Sequence, residues 1–341
     1  MTRRQMLGAA AAVFARTSVG SEKPRSPNLG TAPTGFGLHR RVQPIDPVDL
    51  THELGLGVVE TRLAGSDADA AKALRQKVEG FGMRVILDTP LPRADNDVER
   101  FDTAVAASKA AGAISLHAAM TQRRYEEFDT FEAFKARFEA CQKQVALAEP
   151  VLRKHRLKLG IENHKGWRSA EQAAWLTRLG SEWVGVHLDF GNNIALCEDP
   201  EQTLANLAPY AIAAHLKDMA VQPYEDGFVL SEVPLGEGIL DLSKWVRTLQ
   251  ARDAAFPFDL ETITRDPLKI PIFTKKYWAT FDDSYSPLPG RDMARIFDIV
   301  RKNPPKSPLP HVTGLSPADQ ARLEDENNRK SIEYARAKLG L

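Results

Sequence analysis

The chain has little cysteine, no excess charge and no long apolar run, and each shortage excludes a class of protein. Only two cysteines occur in 341 residues, Cys141 and Cys197. Without a Cys-x-x-Cys spacing they offer neither a structural zinc site nor a dithiol redox pair, and they read as ordinary thiols. Lys plus Arg and Asp plus Glu both total 45, for zero net charge. No overall field draws such a chain to a polyanion, so no nucleic acid is expected as a partner. Residues 6–15 form an apolar run of ten, about half of what crosses a bilayer, and no other segment is long enough, so the mature form is expected to have no membrane span. A Gly-x-Gly-x-x-Gly loop is missing as well: "GFGLHRR" lacks the spacing that an open, doubly wound nucleotide-binding sheet normally shows after its first strand.

What is present begins with an arginine pair, Arg3 and Arg4, ahead of that apolar run and its small residues. This is the pattern of a twin-arginine export signal, and it leads to an expected periplasmic or otherwise exported location; an amphipathic first helix is the alternative. Residues 16–33, rich in Ser, Pro and Gly, read as a linker, so residues 1–33 form a signal and linker unit. The hydrophobic content of 43% is enough for a large core.

From residue 34 the chain alternates short apolar runs with amphipathic stretches. The runs are "TGFGLH" (34–39), "GVVETRL" (57–63), "MRVILDT" (83–89), "AISLHAAM" (113–120), "LKLGIENH" (157–164), "VGVHLDFGN" (184–192), "AIAAHLKDM" (211–219) and "FPFDLETIT" (256–264). Several stretches between them open on Ser, Thr or Asp, as helix caps do. Eight such alternations predict an α/β fold, a (β/α)8 TIM barrel over residues 34–300, followed by a helical C-terminal extension over 301–341. The charged segment "SPADQARLEDENNRKSIEYARAKLG" is predicted to be a helix that covers the barrel exterior or meets a second subunit in a homo-oligomer.

Barrel enzymes carry their chemistry at the carboxyl ends of the strands, where Glu60, His117, Glu162 with His164, Asp189, His215 with Lys217, and Glu261 fall. Residues two apart share a strand face, so Glu162 and His164, His187 and Asp189, His215 and Lys217, and Asp259 and Glu261 are predicted to line the interior in pairs. Taken singly, each reads as an ion-paired or core residue. Together, three carboxylates and one imidazole at the ends of four successive strands predict one divalent metal ion held by Glu162, Asp189, His215 and Glu261. Mn2+, Mg2+ and Co2+ suit the mixed oxygen and nitrogen set, and Zn2+ also fits.

The motifs "GIENH", "GVHLDFGN", "HLKD" and "FDLE" resemble the sugar phosphate isomerase/epimerase superfamily of xylose-isomerase-like barrels. That resemblance implies that Glu162 and Glu261 both ligate the metal and exchange protons with the substrate, while Asp189 and His215 complete the coordination. Many epimerases of the superfamily carry a histidine three residues after the strand-six aspartate; here that position is Asn192, which cannot titrate. Lys217, His117 and His164 are expected to bind substrate or support the ligands, and Glu237 to lie in a substrate loop. Arg265 and Trp278 come from the long aromatic segment after the last strand and are expected at the mouth. No cluster of basic residues suits a phosphate, so an unphosphorylated sugar is the expected substrate, converted by metal-dependent isomerisation or epimerisation. β-Elimination of a 3-keto-glycoside at the same metal and glutamate base is the alternative. A DNA-cutting barrel with three zinc ions would need more histidines, and a barrel that only binds a sugar would have no use for both glutamates.

Overall fold

The computed structural model describes residues 23–341. The twin-arginine segment and the first part of the linker lie outside the described residues. Eight parallel strands close a barrel: β1 (Ser26–Thr31), β2 (Leu56–Thr61), β3 (Arg84–Asp88), β4 (Ala113–Ala118), β5 (Leu159–Glu162), β6 (Val184–Asp189), β7 (Ala211–Leu216) and β10 (Phe258–Leu260), with β1 paired to both β2 and β10. The order follows the chain, as right-handed β-helix-β crossovers require. Outward-facing residues of the strands, such as Leu29, Leu116, Ile161, Val186, Leu188, Phe258 and Leu260, are buried under the helices and belong to one large apolar core.

The first strand is a correction. "TGFGLH" forms a 3-10 turn (Pro33–Phe36) running into a short helix (Gly37–Val42), while "SPNLGT", within the stretch read as linker, is β1. Its Pro, Asn and Gly have low strand propensity, but the barrel must close, and Leu29, Gly30 and Thr31 pair with Phe258, Asp259 and Leu260. Tertiary pairing on both sides outweighs local preference.

Two further elements lie between β7 and β10. Strands β8 (Asp218–Tyr224) and β9 (Gly227–Val233) form an antiparallel hairpin, and β11 (Leu268–Ile270), which follows β10, adds to its edge. The three strands sit beside the barrel and pack on the aromatic segment with Tyr277 and Trp278 in a second apolar cluster. The helix Pro317–Tyr334 docks against the helix that follows β1: Glu324 accepts from the backbone N–H groups of Leu38 (3.1 Å) and His39 (2.7 Å), and Asn328 donates to the carbonyl of Gly35. It is thereby the eighth outer helix of the barrel, delayed in sequence by the intervening segment. None of the helices among the described residues is long and apolar enough to cross a membrane.

Candidate metal centre

Alternation along the strands stacks the interior side chains in three tiers. At the bottom Val58, Ile86 and Ala213 form an apolar plug. Two residues further along, Glu60, His187, His215 and Asp259 fill the middle of the barrel, all of them buried. Another step brings Glu162, Asp189, Lys217 and Glu261 to the mouth, where with Asp88, two residues beyond Ile86, they line a cavity of about 570 Å3.

Strand register decides who meets whom. His215 pairs with Asp189 on one side and Asp259 on the other, and Glu162 pairs with His187. The His215 ring is oriented from below, its Nε2 lying 2.9 Å from Glu60 Oε2. That partner leaves Nδ1, which is buried and has no hydrogen bond, 3.5 Å from Glu261 Oε2. A carboxylate on one ring nitrogen that presents the other is the usual support for a metal-ligating histidine. Ligand atoms of Glu162, Asp189 and His215 lie within 4.8 Å of one another. Glu261 stands at the edge of this group. The donor set therefore fits a divalent ion, with Glu162, Asp189 and His215 as its centre and Glu261 within reach.

A lysine ammonium meets the same carboxylates. Lys217 Nζ is 2.7 Å from Asp189 Oδ1 and 2.8 Å from Glu261 Oε2. Burial opposes its charge, but Asp189 and Glu261 raise its pKa above that of a free lysine. Burial likewise opposes ionisation of Glu261, yet His215 and Lys217 bring its pKa down to about 2. Glu162 is held well below the usual carboxylate range by His164, His117 and His215, against its own desolvation. For His215, burial favours the neutral ring, but Glu261 and Glu60 outweigh it and raise the pKa to about 10. Burial, with Glu261 and Glu162 nearby, instead pushes Asp189 well above the usual carboxylate range, against the pull of Lys217 and His215, so the mouth crowds more carboxylates than its cations satisfy, a condition that a divalent ion would relieve.

Asn192 reaches the site because Gly191 adopts a left-handed conformation (φ 80°) that turns the chain back over the end of β6 into a 3-10 turn (Asn192–Leu196). A side chain there would also collide with Met219, whose Cγ lies 2.3 Å from an added Cβ. The Asn192 amide donates to Asp189 and, at 3.4 Å, to Glu162, while its oxygen accepts from Lys165. His117 spans the opposite wall, with Nδ1 2.7 Å from Asp88 and Nε2 3.4 Å from Glu162. His164 lines the cavity, and burial lowers its pKa below that of a free imidazole although Glu162 opposes the shift. Arg265 also lines it, paired to Glu232 at 2.6 Å.

Two expected residues are elsewhere. Trp278 donates its indole N–H to the carbonyl of Ile272 and packs against Tyr277 and Phe281, so it belongs to the second apolar cluster and not to the mouth. Glu237 lies in the loop after β9 and does not line the cavity; its loop is shaped by Asp218, which accepts from the N–H groups of Gly236, Gly238 and Leu240. Asp218 is therefore committed to that loop and unavailable to Lys217. Besides Glu261, a second buried glutamate approaches Lys217, Glu232 of β9 at 4.0 Å. Its hairpin lies outside the eight strand-and-helix alternations of the sequence. Asp88, at the end of β3, obeys the same strand-end rule as the chosen ligands and could have been found by it. Five basic residues scattered along the sequence, Arg40, Arg62, Lys165, Lys217 and Arg265, are brought to the cavity wall by the fold.

Comparison with known proteins agrees with the architecture. The profile of the family described as Xylose isomerase-like TIM barrel matches residues 48–278. Among curated proteins, 3-oxo-isoapionate decarboxylase of Pectobacterium atrosepticum is 27% identical over 106 residues. That match covers 30% of this chain and 38% of the relative, so it spans well under half of the relative's length. Among solved structures, D-psicose 3-epimerase in the presence of D-fructose matches with a TM-score of 0.53 at 12% identity, covering 86% of this chain and 93% of the other. A xylose isomerase-like TIM barrel protein from Mycobacterium smegmatis in complex with magnesium matches with a TM-score of 0.50 at 14% identity, covering 79% and 90%. At these identities the structural likeness shows the fold.

Proposed function

Since the family profile covers about two thirds of its length, this chain belongs to the xylose isomerase-like TIM barrel family, and from that premise we propose that it is a divalent-metal-dependent sugar isomerase or epimerase. The observation that carries the proposal is that ligand atoms of Glu162, Asp189 and His215 lie within 4.8 Å of one another at the barrel mouth, with Glu261 3.5 Å from the free Nδ1 of His215. A divalent ion bound there supplies Lewis acidity that polarises a sugar carbonyl and lowers the barrier to removing the neighbouring C–H proton.

The chain's own groups then do the proton work. Glu162 and Glu261 are ionised, as bases must be, and each has its own support: His117 beside Glu162, and the Thr34 hydroxyl donating to Glu261. One glutamate taking the proton and the other returning it from the opposite face inverts the carbon, whereas one glutamate acting twice moves the carbonyl. Lys217, with its raised pKa, stays charged and lies where an enediolate oxygen would develop negative charge. Asn192, Asp88 and His117 hold the carboxylates and the sugar hydroxyls in place. The twin-arginine segment supports a substrate met outside the cytoplasm, and hence an unphosphorylated one. The partial relative's name describes loss of CO2 from a 3-oxo acid, a reaction that needs the same stabilisation of charge next to a carbonyl.

The test is incubation of the Mn2+-loaded full chain with free ketoses in D2O. Deuterium at the carbon next to the carbonyl of the recovered sugar is the expected result. Release of aglycone from a 3-keto-glucoside without exchange into ketoses would replace the proposal by elimination. Full metal occupancy with neither outcome would leave a binding protein.

A further inference from the structure

Lys165 is the buried cation that the proton chemistry leaves unused. It is 2% exposed and lines the cavity. Its ammonium donates to the neutral amide oxygen of Asn192, and among the described residues no carboxylate forms an ion pair with it. Three other cations of the wall are already committed to carboxylates: Lys217 to Asp189 and Glu261, Arg265 to Glu232, and Arg62 to Asp88. Arg40 donates to the carbonyls of Pro33 and Phe36. Glu232 and Asp189 attract Lys165 only from beyond ion-pair distance, and a buried ammonium without a direct counter-ion is unfavourable, so an anion brought by a ligand would find an unmatched partner there. Burial and the nearby Lys217 lower its pKa to about 8, which leaves it largely protonated at neutral pH.

The position of Lys165 is built by its neighbours. Its carbonyl accepts the N–H of Arg124 at 3.0 Å, and Trp167 is fully buried between Phe138 and Trp175. Between them Gly166 passes so close to Thr121 that an added Cβ would lie 2.0 Å from its Oγ1. Charge along the cavity points the same way. Five acidic and five basic side chains line it, so the cavity has no surplus of carboxylates left over for Lys165. A divalent ion at the mouth would draw Asp189 and Glu261 away from Lys217 and leave a second ammonium near the first.

We infer that Lys165 forms an anion subsite, and that the substrate is a sugar acid whose carboxylate binds this ammonium while its carbonyl end faces Glu162, Asp189, His215 and Glu261. This rests on the sugar-converting reading above for the placement of the carbonyl end, but the lysine subsite is measurable without it. A single ammonium matches the single charge of a carboxylate; a phosphate would call for several donors at once.

Calorimetric titration of the full chain, Mn2+-loaded and again metal-free in EDTA, with D-gluconate, D-glucitol and D-glucitol 6-phosphate provides the test. Gluconate is expected to bind roughly 10-fold or more tighter than glucitol, the usual gain from a charge-assisted hydrogen bond, and tighter than the phosphate. Lys165→Met should abolish the preference and Lys165→Arg should keep most of it. Asn192→Asp, which gives the lysine a carboxylate of its own, should abolish it with the lysine still present. Equal binding of acid and neutral probe, no binding of either, a stronger preference for the phosphate, or a preference that survives both Lys165→Met and Asn192→Asp overturns the inference. Metal stoichiometry is read separately: a chain that binds no metal but keeps a lysine-dependent acid preference refutes the metal reading and leaves the subsite standing.

Discussion

Replacing Lys217 with methionine keeps the length of the side chain and removes the charge that Asp189 and Glu261 share at 2.7 and 2.8 Å. Both carboxylates are buried, 0% and 6% exposed, so without metal the variant must keep them desolvated without the ammonium, Glu261 retaining His215 and Thr34 and Asp189 retaining Asn192, or protonate them. Breaking a buried pair by deleting one partner costs about 3–5 kcal/mol. At roughly 2 °C per kcal/mol for a large domain, the melting temperature in EDTA should fall by about 6–10 °C. Metal reverses the comparison. If a divalent ion takes over the oxygens that hold the ammonium, the wild type surrenders those ion pairs on binding and the variant has none to surrender. Mn2+ should then bind Lys217→Met more tightly, by roughly 100-fold if about 3 kcal/mol is recovered, and saturating Mn2+ should close most of the gap in melting temperature. Differential scanning calorimetry with and without metal, with calorimetric titration of Mn2+, measures both. An unchanged melting temperature in EDTA, or weaker Mn2+ binding by the variant, would refute the claim that ion and ammonium compete for the same oxygens.

Three further outcomes are expected. Glu162→Gln and Glu261→Gln should each lower solvent deuterium exchange into substrate by about 100-fold or more, the usual contribution of a positioned acid or base, with circular dichroism unchanged; a variant that exchanges at the wild-type rate removes that glutamate from the proton path. Metal binding requires the neutral His215 ring, whose pKa of about 10 before binding means that a proton must leave at any lower pH. Affinity should therefore rise about tenfold per pH unit between pH 6 and 8, with release of close to one proton seen by titration in buffers of different ionisation enthalpy, and pH-independent affinity would contradict this. Cys141 and Cys197 are fully buried and desolvation raises both pKa values to about 11, so a disulfide reagent at pH 8 should label neither in the native protein and both in denaturant; rapid labelling of folded protein would show the core to be open there.

The barrel was legible because eight apolar runs recur with helices between them, and the polar residues of its interior because alternation sends every second residue inward. Local rules failed where pairing or register decided the outcome. β1 contains Pro27, Asn28 and Gly30 and is a strand because β2 and β10 flank it. By contrast, the β8–β9 hairpin carried a local signal, Asp226–Gly227 between runs with alternating apolar residues, that the strand count had no place for. Trp278 was expected at the mouth from its loop position alone; its indole N–H instead finds Ile272 and its ring finds Tyr277. That His215 keeps Nδ1 free, or that Lys165 meets an amide and no carboxylate, follows from Glu60 arriving from β2 and Asn192 from the turn after β6, which no spacing within one motif expresses.

The account depends on one divalent ion at the mouth of the barrel. Crystals of the full chain soaked in Mn2+ and measured at the manganese absorption edge should show one anomalous peak bounded by the side chains of Glu162, Asp189, His215 and Glu261. A strong peak elsewhere, for example among Glu60, His187 and Asp259 in the middle of the barrel, or no peak at saturating Mn2+, would contradict it.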